Sequence, residues 1–310
     1  MIWIPILISA ILLVIIIVFW YFFNTAFVRR KETDPLADIQ KDEKMRRYSD
    51  EIDAGLLWYE NAPKTDVYIE SYDGLKLHGI IIKSESESDR TIILFHGYRS
   101  TARRDFSCAI PYYHSLGLNI ILIDQRSHGK SEGRLITYGV KERYDAVSWV
   151  EFAKKTFPDN RIYLSGLSMG SSTVMMASNI VEGVSGIIAD CGFTSPKEII
   201  QLVAKKHFGL PRWFCAPVGF LAKIFGKFDY SYSAKQSLKD SKVPILFIHG
   251  EADDFVPCYM TEENFEACTS PKEKVIVAGA PHGFSFLYEP EVVKCALEKF
   301  MSDGSGTNQP

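Results

Sequence analysis

Residues Gly166-Leu167-Ser168-Met169-Gly170 form a G-x-S-x-G pentapeptide between two runs of different character, and no other feature restricts the fold as strongly. Before it, residues 161–165 (RIYLS) are β-branched and aromatic, as in a buried parallel strand. After it, residues 171–178 (SSTVMMAS) are small and apolar, suited to a helix packed closely on a sheet. A chain that reverses from strand to helix strains the residue at the apex. Glycines two positions to either side remove the Cβ atoms that would collide there. Such a turn exposes the apex side chain, so Ser168 is the candidate nucleophile. The same pentapeptide in an ordinary Gly-Ser loop has no chemical consequence, and the surroundings must decide.

A serine hydroxyl needs a base to remove its proton, and the base needs a carboxylate to hold its tautomer. Of the seven histidines, His282 follows the last strand-like run, within Gly279-Ala280-Pro281-His282-Gly283, where a loop can aim a ring at Ser168. His128 and His207 are open to substrate contact, whereas His78, His114 and His249 read as structural. The acid is expected at the end of the preceding strand, in His249-Gly250-Glu251-Ala252-Asp253-Asp254, with Asp190 as a third possibility. An oxyanion needs two backbone N–H donors. Met169 follows the nucleophile and supplies one; Tyr98, after His96-Gly97, supplies the other, with His96 as a loop organiser.

Strand and helix patterns alternate through residues 62–301, which predicts a doubly wound, mostly parallel α/β sheet. It opens with a hairpin around Asp73-Gly74. Residues 194–240 interrupt the alternation with an aromatic, partly helical segment, expected to form a cap over the active site. Its eight Lys and Arg against three acids make it a basic island. That suits an apolar substrate with an anionic head, or contact with anionic lipid; the same residues also suit a small core with a solvated rim.

Residues 2–23 carry no charge and are long enough as a helix to cross a bilayer. They read as a transmembrane anchor; a cleaved signal peptide competes, but there is no basic n-region and no A-x-A site. Arg29, Arg30 and Lys31 follow the span and none precedes it, so the enzyme domain is expected to face the cytoplasm. Residues 24–61 read as a charged juxtamembrane linker, with a helix-like stretch at 36–45, and 302–310 as a disordered tail. The net charge of −3 argues against nucleic acid as a partner. The six cysteines lack metal-like spacing and read as free thiols in a reducing compartment; no metal, nucleotide or cofactor motif is present.

Taken together, His96-Gly97, Asp124-Gln125-Arg126-Ser127-His128-Gly129-Lys130-Ser131, the elbow, His249-Gly250 with Asp253 and Val256-Pro257, and His282-Gly283 resemble the α/β-hydrolase superfamily, in its order Ser, Asp, His. The resemblance implies the α/β-hydrolase fold with a helical cap, here preceded by one transmembrane helix. It also places the acid at Asp253 rather than Asp254, from the H-G-x-x-D-x-x-V-P pattern. Ser127 stands where the family's D-x-R-G-H-G-x-S loop has glycine. The nearest likeness is to membrane-anchored members of the serine aminopeptidase and monoacylglycerol lipase-like group. The expected function is a serine hydrolase cleaving small acyl esters or lipids such as a monoacylglycerol or lysophospholipid. The alternatives are an exopeptidase or amidase of the same fold, and a non-catalytic membrane-tethered binding module.

Overall fold

The computed structural model describes residues 3–30 and 43–303. Its alternating runs assemble into an eight-stranded sheet in the order β1-β2-β4-β3-β5-β6-β7-β8. The strands are β1 Thr65–Glu70, β2 Lys76–Ile82, β3 Arg90–Phe95, β4 Asn119–Ile123, β5 Arg161–Leu167, β6 Val184–Asp190, β7 Ile245–Gly250 and β8 Lys272–Val277. The hairpin β1/β2 and the β2/β4 pair are antiparallel, and the strands from β4 through β3 to β8 run parallel. Ile-rich strands such as β3 and β4 are buried along almost their whole length, because a parallel sheet is covered on both faces. Two apolar layers flank it. One includes Trp149, Val174 and Met176; the other includes Ile92, Leu94, Ile110, Tyr163 and Leu297.

The principal helices are α1 Trp3–Phe27, α2 Ser49–Asn61, α3 Ala109–Ser115, α4 Glu142–Thr156, α5 Met169–Ala177, α6 Pro196–Phe208, α7 Ala216–Leu221, α8 Tyr259–Ala267 and α9 Pro290–Asp303. Helix α1 is long and apolar enough to cross a membrane. Its far end is not free. Phe23 and Phe27 are buried in the domain core, and its last carbonyls are capped by side chains of the domain: Tyr98 Oη and Tyr138 Oη donate to Ala26 O at 2.8 and 3.0 Å. Arg99 Nη2 donates to Thr25 O at 2.8 Å and to Val28 O at 3.1 Å. The backbone continues the attachment, with Ile136 N–H donating to Phe27 O at 2.7 Å and Arg29 N–H to Arg134 O at 2.8 Å.

The stretch expected as a linker from residue 24 therefore begins as part of the domain. Its other end is also structural. Helix α2 buries Ile52 and Tyr59, and a Cβ on Gly55 would lie 2.2 Å from Ser107 O, so only glycine lets α2 approach this closely. The sequence signal for these attachments was weak, because the run into α2 reads as charged and the helix interleaves its apolar residues with Asp50, Glu51, Asp53 and Glu60. The helix-like stretch at 36–45 lies mostly outside the described residues. The final helix runs to Asp303, and residues 304–310 lie outside the description.

Candidate active site

Ser168 stands at the apex between β5 and α5 with φ 55° and ψ −111°, a backbone conformation L-residues seldom adopt. The flanking glycines explain how the turn can exist. A Cβ on Gly166 would lie 2.3 Å from Gly170 C and O, and one on Gly170 would lie 1.9 Å from Phe95 O. Ser168 N–H donates to Asp190 O at 2.9 Å, fixing the apex to the end of β6.

The acid and base arrive on neighbouring loops that are joined to each other. Glu251 N–H donates to Val277 O and Ala252 N–H to Ala280 O, at 2.9 and 3.1 Å. Gly250 packs so tightly on Ala280 O that a Cβ would come within 2.2 Å. These contacts bring three sequence-predicted side chains into line. His282 Nε2 lies 3.0 Å from Ser168 Oγ, and His282 Nδ1 lies 2.6 Å from Asp253 Oδ2. The other carboxylate oxygen of Asp253 accepts from Phe255 N–H at 2.9 Å and Val256 N–H at 2.8 Å.

Burial works against ionisation of Asp253, yet hydrogen bonds from His249 and His282 hold its carboxyl far below the usual range. Read as structural from sequence, His249 is part of this constellation: its Nε2 lies 3.1 Å from Asp253 Oδ2 and 2.9 Å from Val256 O, with Nδ1 2.6 Å from Thr261 Oγ1. Its position on β7, facing the acid loop, was the available signal. Asp254, the rejected neighbour, is 62 % exposed and sits 3.5 Å from Lys206 Nζ.

Asp190 does not meet His282. Its Oδ1 accepts from Ser285 Oγ at 3.2 Å, and burial pushes its pKa up to about 6. Because the folded form binds this proton more tightly than the unfolded chain, the associated stability is complete below about pH 4 and is lost as pH rises through 6. Asp190→Asn is therefore expected to match the wild type near pH 4 and to gain on it toward pH 7.5, by up to about 3 kcal/mol. Melting temperatures across that range check this; a gap that stays constant contradicts it.

The loop after β3 is held on both sides of Tyr98. Gly97 N–H donates to Asp105 Oδ2 at 2.6 Å, and Arg99 N–H donates to His128 Nε2 at 3.0 Å. His128 Nδ1 in turn donates to Arg126 O at 3.0 Å. Burial lowers the pKa of His128 to about 3, which keeps Nε2 an acceptor. His128 is thus a loop organiser rather than a substrate contact. His96 organises the same region through Gly97 O and Gln125 N–H, at 2.8 and 3.1 Å. The N–H of Met169 opens helix α5, where first-turn donors lack helical partners.

The segment Asp124–Ser131 is architectural. Arg126 clamps Asp73 and Asp145, Ser131 Oγ donates to Asp124 O at 2.6 Å, and Asp124 Oδ2 lies 2.7 Å from His78 Nδ1. Ser127, at the family's glycine position, holds φ 66°. All six cysteines are free thiols. Cys191 lies beside Asp253 and His282, and burial raises its pKa well above the usual thiol value.

Ser168 and His282 open on a cavity of about 410 Å³ whose apolar lining includes Phe106, Ile188, Phe284, Leu287 and Leu297. The insertion at 194–240 lines none of it; Ile52 of α2, the loop through Phe106-Ser107-Cys108 and the residues after His282 do. The cap was expected there because the segment is too long for an ordinary loop, partly helical by spacing, and rich in lysines and aromatic rings. Phe208, Phe214 and Phe225 turn instead toward α1, as Phe19–Phe214, Phe22–Phe208 and Trp20–Phe225 ring contacts at 4.9, 5.6 and 5.1 Å record.

Comparisons with known proteins point to the same fold. Residues 86–232 match the family described as serine aminopeptidase, S33. The chain is 27 % identical to the YqkD protein of Bacillus subtilis over 79 % of its own length and 81 % of that protein. It is 25 % identical to protein bem46 of Schizosaccharomyces pombe, over 69 % and 72 % of the two chains. Among solved structures, the Pyrococcus furiosus esterase Pf2001 is 28 % identical with a TM-score of 0.64, covering 78 % of this chain and 93 % of that one. With its mostly parallel eight-stranded sheet and these likenesses, the chain has the α/β-hydrolase fold and is a hydrolase of that fold.

Proposed function

We propose that this protein is a membrane-anchored serine hydrolase cleaving carboxylic esters, with Ser168, His282 and Asp253 as its catalytic triad. The hydrogen-bonded line from Ser168 Oγ through His282 to Asp253, at the mouth of an apolar cavity, carries the reading. Ser168 Oγ attacks the acyl carbonyl while His282 Nε2 takes its proton. Asp253 fixes the tautomer and stabilises the imidazolium. The backbone N–H groups of Tyr98 and Met169 hold the oxyanion, each worth about a hundred- to a thousand-fold in rate. Collapse of the tetrahedral adduct expels the alcohol, which takes the proton from His282. A water, deprotonated by His282, then attacks the acyl-enzyme and releases the acid and Ser168.

The apolar cavity wall suits the acyl chain of a monoacylglycerol or lysophospholipid. The match to serine aminopeptidases favours a second reading, exopeptidase action, which needs a carboxylate for the substrate amine. Asp105 and Asp190 line the cavity, but Asp105 holds Gly97 N–H and Ser100 Oγ, and Asp190 holds Ser285. Hydrolysis of acyl esters of graded length against aminoacyl anilides decides between them: ester turnover alone supports the first, anilide turnover alone the second. No turnover of either, with lipid or a partner still bound, returns the non-catalytic module.

The assignment of the acid has its own test. Asp253→Asn should lower kcat by about ten-thousandfold, as loss of a triad carboxylate does, while Asp254→Asn and Asp190→Asn keep turnover within about tenfold of the wild type, since neither holds His282 in its tautomer. Near-normal kcat in Asp253→Asn overturns it. For α1 the anchor reading is supported by its buried end: a signal peptide is cut away, whereas Phe23 and Phe27 are core residues. Arg29 and Arg30 beyond the span give the domain a cytoplasmic orientation.

A further inference from the structure

We propose that the outer face of the 205–227 segment is a second membrane contact, seated in the interface of a bilayer containing anionic phospholipid; this rests on α1 spanning that bilayer. Helix α7 and the π-helical turn after it, Ala222–Gly226, are inverted relative to a soluble protein. Their inward residues are small, Val218, Gly219, Ala222 and Gly226, and a Cβ on Gly219 would lie 2.0 Å from the Tyr230 ring. Apart from Leu221, which packs on the core, their large apolar side chains point out: Phe220, Ile224 and Phe225 are exposed, as are Phe208 and, at 72 %, Trp213. Exposed apolar side chains gathered in this way mark an interaction surface.

Length fixes what the surface meets. Helix α1 is exposed from Trp3 to Val18 and meets the insertion at Phe19. That free portion rises about 24 Å at 1.5 Å per residue, short of the roughly 30 Å hydrocarbon core. The remaining turn of the span, Phe19 to Phe22, lies against Phe208, Phe214 and Phe225. A bilayer that covers the whole of α1 must therefore reach these rings. Charge points to the lipid: Lys205, Arg212, Lys223 and Lys227 fall within 205–227, where there is no Asp or Glu, while Lys206 turns to Asp254. A basic rim around an apolar face is the arrangement that binds anionic headgroups.

The test uses the full chain in vesicles, with Trp3→Phe and Trp20→Phe removing the tryptophans of α1 and Trp58→Phe that of α2, which leaves Trp149 and Trp213. Phosphatidylcholine brominated along its acyl chains should quench the remaining fluorescence, and adding Trp213→Phe should at least halve that quenching, since Trp149 is buried in the domain. Phosphatidylglycerol should increase Trp213 quenching, and glutamine at Arg212, Lys223 and Lys227 should abolish the increase. Iodide quenching of Trp213 in the vesicles, or equal bromolipid quenching with and without Trp213, overturns the proposal; an absent phosphatidylglycerol effect overturns its anionic selectivity. Extraction of the protein by alkaline carbonate would overturn the spanning reading of α1 instead, and retention with Trp213 open to iodide would overturn the interfacial contact alone.

Discussion

Ser168→Ala is expected to lower kcat for acyl esters by about a millionfold, to the residual rate that binding and the oxyanion donors alone sustain. The loss should fall on kcat with KM little changed, because Ser168 Oγ acts on the reacting carbonyl rather than on the remote parts of the substrate. The fold should survive, since the elbow is held by Ser168 N–H on Asp190 O and by its two glycines, none of which the substitution touches. His282→Ala should be nearly as severe, and the double variant no worse than either, because a triad acts as a unit. Steady-state kinetics of the three proteins provide the check. Additive losses, or a Ser168→Ala enzyme retaining a tenth of wild-type turnover, would contradict the assigned roles.

Gly170→Ala carries the largest expected structural effect. The added Cβ would sit 1.9 Å from Phe95 O and 2.4 Å from Phe95 C, both backbone atoms of a central strand that cannot swing aside. Relief requires α5 to lift off β3, which breaks the packing around Ser168. A cost of about 3 kcal/mol or more is expected, lowering the melting temperature by on the order of 10 °C. Gly74→Ala is the contrasting case: Gly74 has φ 84° with nothing within 4 Å of its Cβ position, so only conformational strain opposes the change. It should cost about 1–2 kcal/mol. Similar melting temperatures for the two variants would show that the elbow is not sterically locked.

The sheet and the elbow were legible in the sequence because their physics is local. Buried parallel strands read as Ile-rich runs, and a turn with no room for Cβ atoms demands Gly166 and Gly170. Ser168 and His282 were legible for the same reason, each tied to a short motif at a strand end. Less legible were contacts whose partners lie far apart in the chain. His249 reads as an ordinary strand residue until the acid loop folds back on it, and its reach to Asp253 belongs to that fold. Helix α2 mixes apolar residues with four acids and reads as part of a charged stretch, so its role as a wall of the cavity emerges only with Gly55 packed on Ser107 O and Ile52 lining the cavity.

The insertion is the clearest divergence. Its aromatics signalled an apolar surface without saying which way it faces, and the rings of Phe208, Phe214 and Phe225 meet α1 rather than the cavity. Composition cannot encode that choice; only the burial of Phe23 and Phe27, which docks α1 on the domain, makes it.

The most direct measurement is the site at which a fluorophosphonate reacts with the purified full-length protein. A phosphonylated serine arises only where a base activates the hydroxyl and donors stabilise the charged adduct. The expected result is one adduct per chain on intact mass, mapped to the peptide carrying Ser168 and absent from Ser168→Ala and His282→Ala. Folded protein that takes up no label, or takes it up at a serine other than Ser168, would contradict the triad.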